Sequence, residues 1–440
     1  MSDNLKEWVI ARLWHSKTAR SVVVLSAGTA GAQTLAIISA PLVTRLYGPE
    51  VYGIYGVFSS LLAILATIGA MGYPTALVLP KEHPEAVQVM RVSAFTALSI
   101  AVLLSSLWLL FPNSLKSLRG IAVLGDEIGL LPLALLAATC VQITTQWLTR
   151  RRDFKSIATF TLFNAVWTNA ARILIGLVWP AVVVLVWIYI LGQAILAVNM
   201  TRIIRRGIRG KTQEPSIPPS KPARLPDVAW KYRDFPFYRA PQDFINAVSK
   251  GVPVIMLSSL SGAVAAGLYS LATQLMGMPS SLVGNAVASV LYPDMAHRAR
   301  DGRSLTFVIA KGTALLALFG LIPFGALCLF GPSLFAVVFG EGWRGAGSYC
   351  QWLAVFYYLN FINKPAVAAI PVLGAQRGLL TYEIAGTLAK LGGLYAGYRI
   401  FGSDLAAVAL FSLTGAAAYA ALIAWVMLVS HRKDINGQAG

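Results

Sequence analysis

The sequence predicts an all-α polytopic membrane protein of about twelve transmembrane helices, arranged as two six-helix repeats. Its composition, its regularly recurring apolar runs and an internal repeat support this prediction. Hydrophobic residues make up 57% of the 440 positions and charged residues only 12%, whereas a soluble domain carries about 25% charged residues. A soluble fold cannot bury so much apolar surface, so most of it must face lipid.

Apolar runs long enough to cross a bilayer recur along the whole chain, since a helix of about 20 residues spans the hydrocarbon layer. Residues 1–20 precede the first run and mix basic and apolar side chains, which predicts a short amphipathic helix at the membrane surface. The first run is too long for the core of a signal peptide, so we expect it to stay uncleaved. The predicted spans are 21–46, 51–79, 88–111, 120–148, 156–178, 181–203, 239–260, 264–293, 306–331, 345–373, 377–400 and 405–430.

A basic, proline-rich connection at residues 204–238 divides the spans into two sets of six. This predicts an N-terminal bundle at 21–203, a C-terminal bundle at 239–430 and a tail at 431–440. The net charge of +18 is concentrated in the segments on one side of the membrane. The positive-inside rule therefore predicts that both termini and the linker are cytoplasmic, with the linker touching anionic lipid headgroups.

The two halves of the chain repeat one another. Three short segments of the first half have counterparts in the second, in the same order and at an offset of about 213–219 residues. Such a plan is typical of transporters, whose substrate site lies between the two repeats. The matched pairs are Gly48–Tyr55 with Gly262–Tyr269, Leu79–Pro80 with Tyr292–Pro293, and Phe111–Leu115 with Phe330–Leu334.

A polar stripe runs along the seventh predicted span, at Arg239–Tyr269. Its polar residues recur at spacings of three, four and seven, so they share one helix face. A charge in hydrocarbon costs about 2.5–3.5 kcal/mol on insertion scales and is usually kept where it faces water or a partner. The stripe predicts the wall of a water-filled pathway, with an interfacial helix start as the alternative for its first turn. Its members are Arg239, Gln242, Asp243, Asn246, Ser249 and Lys250.

Other spans also carry charges at membrane depth. Arg172 lies in the fifth span, Lys364 in the tenth beside Pro365, and Glu383 with Lys390 on one face of the eleventh. For Glu383 and Lys390 an internal ion pair between helices is an equal alternative, and for Arg172 a contact within its own bundle. Because basic residues predominate, we expect a cationic lumen that suits an anionic cargo such as a pyrophosphate.

Several function classes are excluded by what the sequence lacks. The three cysteines and four histidines show neither paired nor metal-ligand spacing. No metalloprotease motif, nucleophile elbow or Cys–His pair occurs. The basic residues are scattered without interleaved aromatic residues, so nucleic acid is not an expected partner. We therefore expect no catalytic site, no metal and no cofactor.

The residues from Gln33 through Pro41–Tyr55 to Ala76–Lys81 resemble the N-terminal signature of polysaccharide-biosynthesis membrane proteins, the Wzx-type lipid-linked oligosaccharide flippases. The resemblance continues in Tyr232–Pro236, Arg239–Pro241 and Phe339–Trp343. It implies the fold of the multidrug/oligosaccharidyl-lipid/polysaccharide exporter superfamily, in which two six-helix bundles face each other in a V. The first, second, seventh and eighth helices of that fold line a central cavity. The residues that this would place near the cavity are Gln33, Arg45, Asn246, Lys250, Gln274 and Asn285.

The in-membrane charges and this resemblance predict a flippase of the bacterial cytoplasmic membrane. It would move an undecaprenyl-pyrophosphate-linked oligosaccharide by alternating access, for export of O-antigen, capsule or exopolysaccharide. Coupling to a gradient of H⁺ or Na⁺ is left open, with Asp243 a candidate proton carrier. The expected partners are the lipid-linked oligosaccharide, membrane lipids and other polysaccharide-assembly membrane proteins. The predicted substrate-binding residues are Arg45, Lys250, Asn246, Lys364, Arg172, Gln33 and Asp243.

Two alternative functions remain open on the sequence. The first is a cation-coupled multidrug exporter of the same fold, which is expected to hold an acidic residue in its first helix. No Asp or Glu lies between Glu7 and Glu50, which counts against it. The second is a polysaccharide polymerase or ligase, which would need a sizeable loop on the outer side. The predicted outer loops are short.

Overall fold

The structure is a computed structural model that describes residues 17–209, 224–301 and 303–438. These ranges are almost wholly helical and contain no strand, which confirms the predicted all-α class. Most of the predicted amphipathic segment 1–20 and the middle of the predicted linker lie outside the described residues. The α-helices are α1 (Lys17–Gly69), α2 (Tyr73–Ala76), α3 (His83–Leu110), α4 (Pro112–Lys116), α5 (Leu131–Arg150), α6 (Phe154–Gly176), α7 (Val182–Arg209), α8 (Leu225–Lys231), α9 (Ala240–Arg300), α10 (Thr306–Phe339), α11 (Arg344–Ile362), α12 (Lys364–Leu373), α13 (Gln376–Phe401) and α14 (Asp404–Gln438).

Eight helical segments of the described chain are long and apolar enough to cross a membrane. Two of them, in α1 and α9, are 46 residues long and correspond to two predicted spans each. The helices α6 and α13 also have spanning length, with 23 and 26 residues, but they carry more polar side chains. Each of the two long segments is long enough for two crossings, so the eight segments supply ten. With α6 and α13 the total is the predicted twelve. Large apolar side chains such as Leu109, Ile322 and Val337 point outward, as expected for a lipid-facing surface.

The two long helices are each kinked at a glycine. Gly48 in α1 and Gly262 in α9 both have positive φ, at 68° and 86°, with nearly extended ψ. Residues with a side chain rarely adopt this conformation, so glycine allows the chain to turn there without strain. These kinks fall where the sequence predicts the first span to end and the seventh to end. Gly48 and Gly262 are equivalent positions of the two repeats.

The second predicted span, 51–79, is too long. Helix α1 ends at Gly69, and the chain turns through Met71 and Gly72, both with positive φ, before the short helix α2. Pro74 lies in the first turn of α2, where a missing N–H is tolerated, and proline disfavours helix at the residue before it. The apolar composition continues past Gly69, so composition alone could not reveal this end.

The chain divides into two compact units. Within the described ranges, the first unit holds residues up to Leu46 together with Phe58–Ala247. The second unit holds Tyr47–Val57 together with the residues from Val248 onward. The helices α1 and α9 therefore contribute residues to both units.

Part of the predicted linker belongs to the core of the first unit. In the short helix α8, Val228 is buried with Leu77 and Trp147. Lys231 forms an ion pair with Glu85 of α3, and the hydrogen bond in that pair raises the pKa of Lys231. The last part of the linker is therefore docked on the first unit, in addition to its predicted contact with headgroups.

Helix α1 packs along α6 in the first unit with a constant register. A Cβ added to Gly28 would overlap Ala158, and the Oγ of Ser39 donates to Asn169 Oδ1 at 2.7 Å. Both contacts join residues about 130 positions apart, so the two helices run in the same direction. The close approach at Gly28 allows the buried Ser39 and Asn169 to satisfy each other's polar groups.

In the second unit, the segment Tyr47–Val57 packs against the start of the second half of α9. A Cβ added to Gly53 would overlap the carbonyl oxygen of Ala263, and a Cβ added to Gly267 would overlap that of Pro49. The contact is thus reciprocal, with equivalent residues of the two repeats exchanging roles. We call the four residues Pro49, Gly53, Ala263 and Gly267 the glycine crossing.

The residues around the glycine crossing fix Tyr52. Its ring meets that of Trp343 edge to face, with centroids 5.6 Å apart, and its hydroxyl donates to Gln274 Oε1 at 2.5 Å. Tyr52 and Trp343 both belong to segments that carry the resemblance noted above. In this structure those segments make a packing contact.

Helix α10 is capped by a residue from the far end of the chain. Asp434, in α14, accepts hydrogen bonds from the backbone N–H groups of Leu305 and Thr306 at 3.0 and 3.1 Å. It also accepts from the hydroxyl of Ser304 at 2.7 Å. The first N–H groups of a helix have no partner within it, so Asp434 supplies one.

We expect Asp434→Ala to lower the free energy of unfolding by about 0.5–2 kcal/mol, the usual cost of a lost helix cap. Denaturant or thermal unfolding of the detergent-purified protein measures this change. Asp301→Ala is the control, because Asp301 is exposed and its carboxylate lies 3.5 Å from His297 Nδ1 in the adjacent turn. If the two variants are equally stable, the cap contributes nothing.

Candidate functional site

Polar side chains from five helices meet inside the second unit. They come from α9, α11, α12, α13 and α14. Three are lysines and one is a glutamate, at membrane depth where charges are retained mainly for function. We call this group the lysine ring. Its members are Ser249, Lys250, Asn360, Lys364, Glu383, Lys390 and Tyr419.

Hydrogen bonds fix two of the lysines in the ring. Lys390 Nζ donates to Ser249 Oγ at 2.8 Å, and Lys364 Nζ donates to Asn360 Oδ1 at 3.2 Å. Asn360 also hydrogen-bonds the hydroxyl of Tyr419. Both ammonium groups therefore have one neutral acceptor and retain further N–H donors.

The third lysine is exposed and faces the other two. Lys250 lies close enough to Lys364 and to Lys390 for its positive charge to act on both. The acid of the ring, Glu383, attracts Lys390 without reaching ion-pair distance in the described structure. Neighbouring positive charges repel each other in a medium of low dielectric constant, and an anion bound among the three lysines would relieve this repulsion.

The break between α11 and α12 places Lys364. Helix α11 ends at Ile362, and Lys364 begins α12 with Pro365 in its first turn. Proline is accepted at this position because its missing N–H would be unpaired anyway. The helix is thus interrupted just before this proline, and Lys364 lies at the interruption. Gly284 of α9 faces the Lys364 side chain and leaves room for it.

Small residues also leave room for Lys390. A Cβ added to Gly415 of α14 would come within 3.2 Å of Lys390 Cδ and would overlap the Phe356 ring. The ammonium group lies 5.9 Å from the centroid of that same ring. Lys390 is thus held by a hydroxyl and by an aromatic face, both of which tolerate a positive charge.

Of the seven predicted substrate-binding residues, the structure brings Lys250 and Lys364 together in the second unit. The others lie in the first unit. Gln33 is half-buried on α1, and its Oε1 atom is buried without a hydrogen-bond partner in the described structure. Arg172 is half-buried on α6, one turn beyond Asn169, and Arg45 is exposed near the Gly48 kink.

The start of the polar stripe is locally paired. Asp243 accepts from Arg239 Nε at 3.0 Å, so its carboxylate already has a partner. Asn246 is exposed and donates to the carbonyl of Gln242 at 3.2 Å. Gln274 accepts from Tyr52, as described above, and the side chain of Asn285 lies outside the described residues. The stripe residues up to Asn246 belong to the first unit, and those from Ser249 onward to the second.

Sequence reasoning did not single out Tyr419 as a site residue, and it did not predict that Lys390 would bond to Ser249. Tyr419 is the one hydroxyl within the alanine-rich run at residues 416–421, which is a weak signal for a polar contact. The Lys390–Ser249 bond joins residues 141 positions apart, so no local pattern could reveal it. Among the described residues no three His, Cys, Asp or Glu side chains are grouped to hold a metal ion.

Comparisons with known proteins agree with this architecture. The family model described as polysaccharide biosynthesis protein matches residues 42–347. The chain is 26% identical to the succinoglycan biosynthesis transport protein ExoT of Rhizobium meliloti (strain 1021), over 82% of this chain and 69% of that protein.

Several solved structures are similar in fold, including these two. One is an inward-facing multidrug resistance MATE family transporter of the MOP superfamily, with a TM-score of 0.71 and 16% identity, covering 91% of this chain and 95% of that one. The other is the lipid II flippase MurJ, with a TM-score of 0.70 and 11% identity, covering 95% of this chain and 91% of that one. At these identities the likeness shows the fold.

Proposed function

The chain belongs to the polysaccharide biosynthesis protein family, and from this premise we propose that it is a flippase for a lipid-linked oligosaccharide. The cargo would carry an undecaprenyl pyrophosphate and would move from the cytoplasmic to the outer leaflet of the bacterial inner membrane. One observation carries the proposal, namely that the charge of Lys250 acts on both Lys364 and Lys390, with Glu383 acting on Lys390. The relative named as a succinoglycan transport protein supports a polysaccharide cargo.

The pyrophosphate would replace the repulsion among the lysines by attraction. Lys250 would make the first contact, because it is exposed and its charge already acts on the other two lysines. Lys364 and Lys390 would follow with their remaining N–H donors. A hydrogen bond between charged groups contributes about 1.5–3 kcal/mol. A compact, rotatable ammonium suits a phosphate that must also be released.

The rest of the cargo would use other surfaces. The lipid tail would remain in the bilayer against the outward-facing apolar side chains, and rocking of the repeats would expose the site alternately to each side. Arg45, Arg172, Gln33 and Asn246 of the first unit are secondary candidates for the cargo. The distribution of basic residues supports an orientation with both termini in the cytoplasm.

Lys250→Ala tests the proposal in a strain deleted for the native gene. We expect surface-polysaccharide export to be lost while the amount of protein in the membrane is unchanged. Lys250→Arg, which keeps the charge, should retain a measurable part of the export. The control is Lys311→Ala, because Lys311 is an exposed lysine of α10 outside the ring. Normal export in Lys250→Ala would remove Lys250 from the site.

The leaflet in which cargo accumulates distinguishes this proposal from the other function classes. A flippase defect leaves the lipid-linked repeat unit on the inner leaflet, whereas a polymerase or ligase defect leaves it on the outer leaflet. A drug-sensitivity panel on the deletion strain tests for export of drug cations. Increased sensitivity to several cationic drugs with normal surface polysaccharide would contradict the flippase proposal.

A further inference from the structure

The carboxylate of Glu383 is in an unusual electrostatic position. Its Oε2 atom is buried, and no described group donates a hydrogen bond to it. Lys390, the positive group that acts on it, instead donates to Ser249. A buried carboxylate oxygen without a donor disfavours the ionised form unless a cation approaches.

The attraction between Glu383 and Lys390 follows from their positions on α13. They are seven residues apart and so lie on one face, about 10.5 Å apart along the axis. Long side chains on a helix lean toward its N-terminus, so Lys390 leans toward Glu383. The ammonium group of Lys390 can therefore stabilise either the carboxylate of Glu383 or an anionic ligand, and its attraction to one weakens as it approaches the other. Any ligand that draws Lys390 away leaves Glu383 less stabilised.

We infer that binding of the anionic cargo is linked to uptake of a proton by Glu383. This inference rests on the proposed function of the lysine ring. When a pyrophosphate draws Lys390 to itself, the carboxylate of Glu383 loses its cation and takes a proton from solvent. By reciprocity, a proton already bound to Glu383 removes a negative charge from the ring and strengthens anion binding.

The other titratable groups that act on Glu383 or on the lysines of the ring are lysines and tyrosines. From its own helix it is faced by Lys390 and Tyr382, and from α14 by Tyr419. The helices α12 and α9 contribute Lys364 and Lys250, which act on the ring as positive charges. None of these five groups is a second carboxylate. The nearest acid of the polar stripe, Asp243, is already paired with Arg239.

The sign of the pH dependence follows from this arrangement. The cargo-bound protein holds one more proton than the empty protein over the window in which Glu383 titrates. Affinity for the anion should therefore rise as the pH falls through that window, by at most about tenfold per pH unit for one proton. Outside the window the affinity should be constant.

Calorimetric titration of the purified full-length protein in nanodiscs tests the inference. The probe is a short-chain prenyl pyrophosphoryl sugar, a diester whose two phosphates stay ionised from weakly acidic to weakly alkaline pH. In the native protein we expect tighter binding at lower pH, and repetition in buffers of different ionisation enthalpy should show proton uptake. In Glu383→Gln, which keeps the shape of the side chain, binding should be independent of pH and as tight as in the protonated native protein. Glu383→Asp should restore the pH dependence.

Two outcomes would overturn the inference. One is a native affinity that does not change with pH, and the other is an unchanged pH dependence in Glu383→Gln. If Asp243→Asn abolishes the dependence and Glu383→Gln does not, the proton binds at Asp243. A different result would show that the lysine ring does not bind the cargo. The probe would then bind equally well to the native protein and to Lys250→Ala, or to neither. Melting temperatures of all variants show whether any of them is misfolded.

Discussion

Gly53→Ala should strongly destabilise the protein, although it adds a single methyl group. The added Cβ would overlap the carbonyl oxygen of Ala263, and a backbone atom cannot move away as a flexible side chain can. Overpacking usually costs about 1–3 kcal/mol and occasionally more. We expect at least the upper end of this range, a large part of the roughly 5–15 kcal/mol by which a folded domain is stable. Thermal unfolding of the detergent-purified protein, and its folded yield, measure the effect.

The control substitution, Gly325→Ala, should not destabilise the protein. Gly325 lies within α10, and a Cβ added there would contact nothing within 4 Å. Because alanine favours helix over glycine by about 0.5–1 kcal/mol, Gly325→Ala should be neutral or stabilising. If Gly53→Ala and Gly325→Ala unfold at the same temperature, the glycine crossing is not a tight contact.

Because the contact is reciprocal, its two glycines should not act independently. Once Gly53→Ala has forced the two segments apart, a second methyl group at Gly267 meets a gap that already exists. The double variant should therefore lose less stability than the sum of the single losses, as is usual for residues that share one contact. Additive losses would show that the two glycines belong to separate contacts.

Lys250→Gln combined with Lys364→Gln should nearly abolish binding of the pyrophosphate probe. Each removed lysine deletes a charged hydrogen bond worth about 1.5–3 kcal/mol. At 1.4 kcal/mol per factor of ten, the pair should weaken binding by about 10²–10⁴-fold. Glutamine keeps most of the side-chain length and a polar end, so the loss of charge is the main change.

The matched control removes two lysines elsewhere. Lys155 and Lys311 are exposed lysines of α6 and α10 outside the ring, so Lys155→Gln with Lys311→Gln changes the net charge equally. Calorimetry in nanodiscs should show native affinity for this control. If both double variants weaken binding to the same extent, overall charge attracts the probe and the lysine ring is not its site.

The sequence predicts the helices well because each depends on a local property. Apolar length locates the spans, and the glycines at 48 and 262 mark the kinks. Pro365 likewise marks the break that places Lys364. The end of α1 at Gly69 was missed, because the apolar run continues beyond the helix.

The features that could not be predicted from the sequence are contacts between residues far apart in the chain. The cap of α10 by Asp434 joins residues about 130 positions apart, and the bond of Lys390 to Ser249 joins residues 141 apart. Neither leaves a periodic trace in the sequence. The polar stripe on α9 was visible as a pattern, but its division between the two units at Ala247 depends on packing.

The glycine crossing also constrains how the two repeats can diverge. Each kink glycine is followed by a crossing glycine five positions later, at 48 and 53 and again at 262 and 267. Inserting or deleting one residue in either interval would rotate that helix by about 100°, turning its glycine away from the carbonyl it meets. The other repeat would then be left with an unmatched partner. The five-residue interval is thus constrained jointly in the two repeats. A change of its length in one repeat is tolerated only with a compensating change in the other.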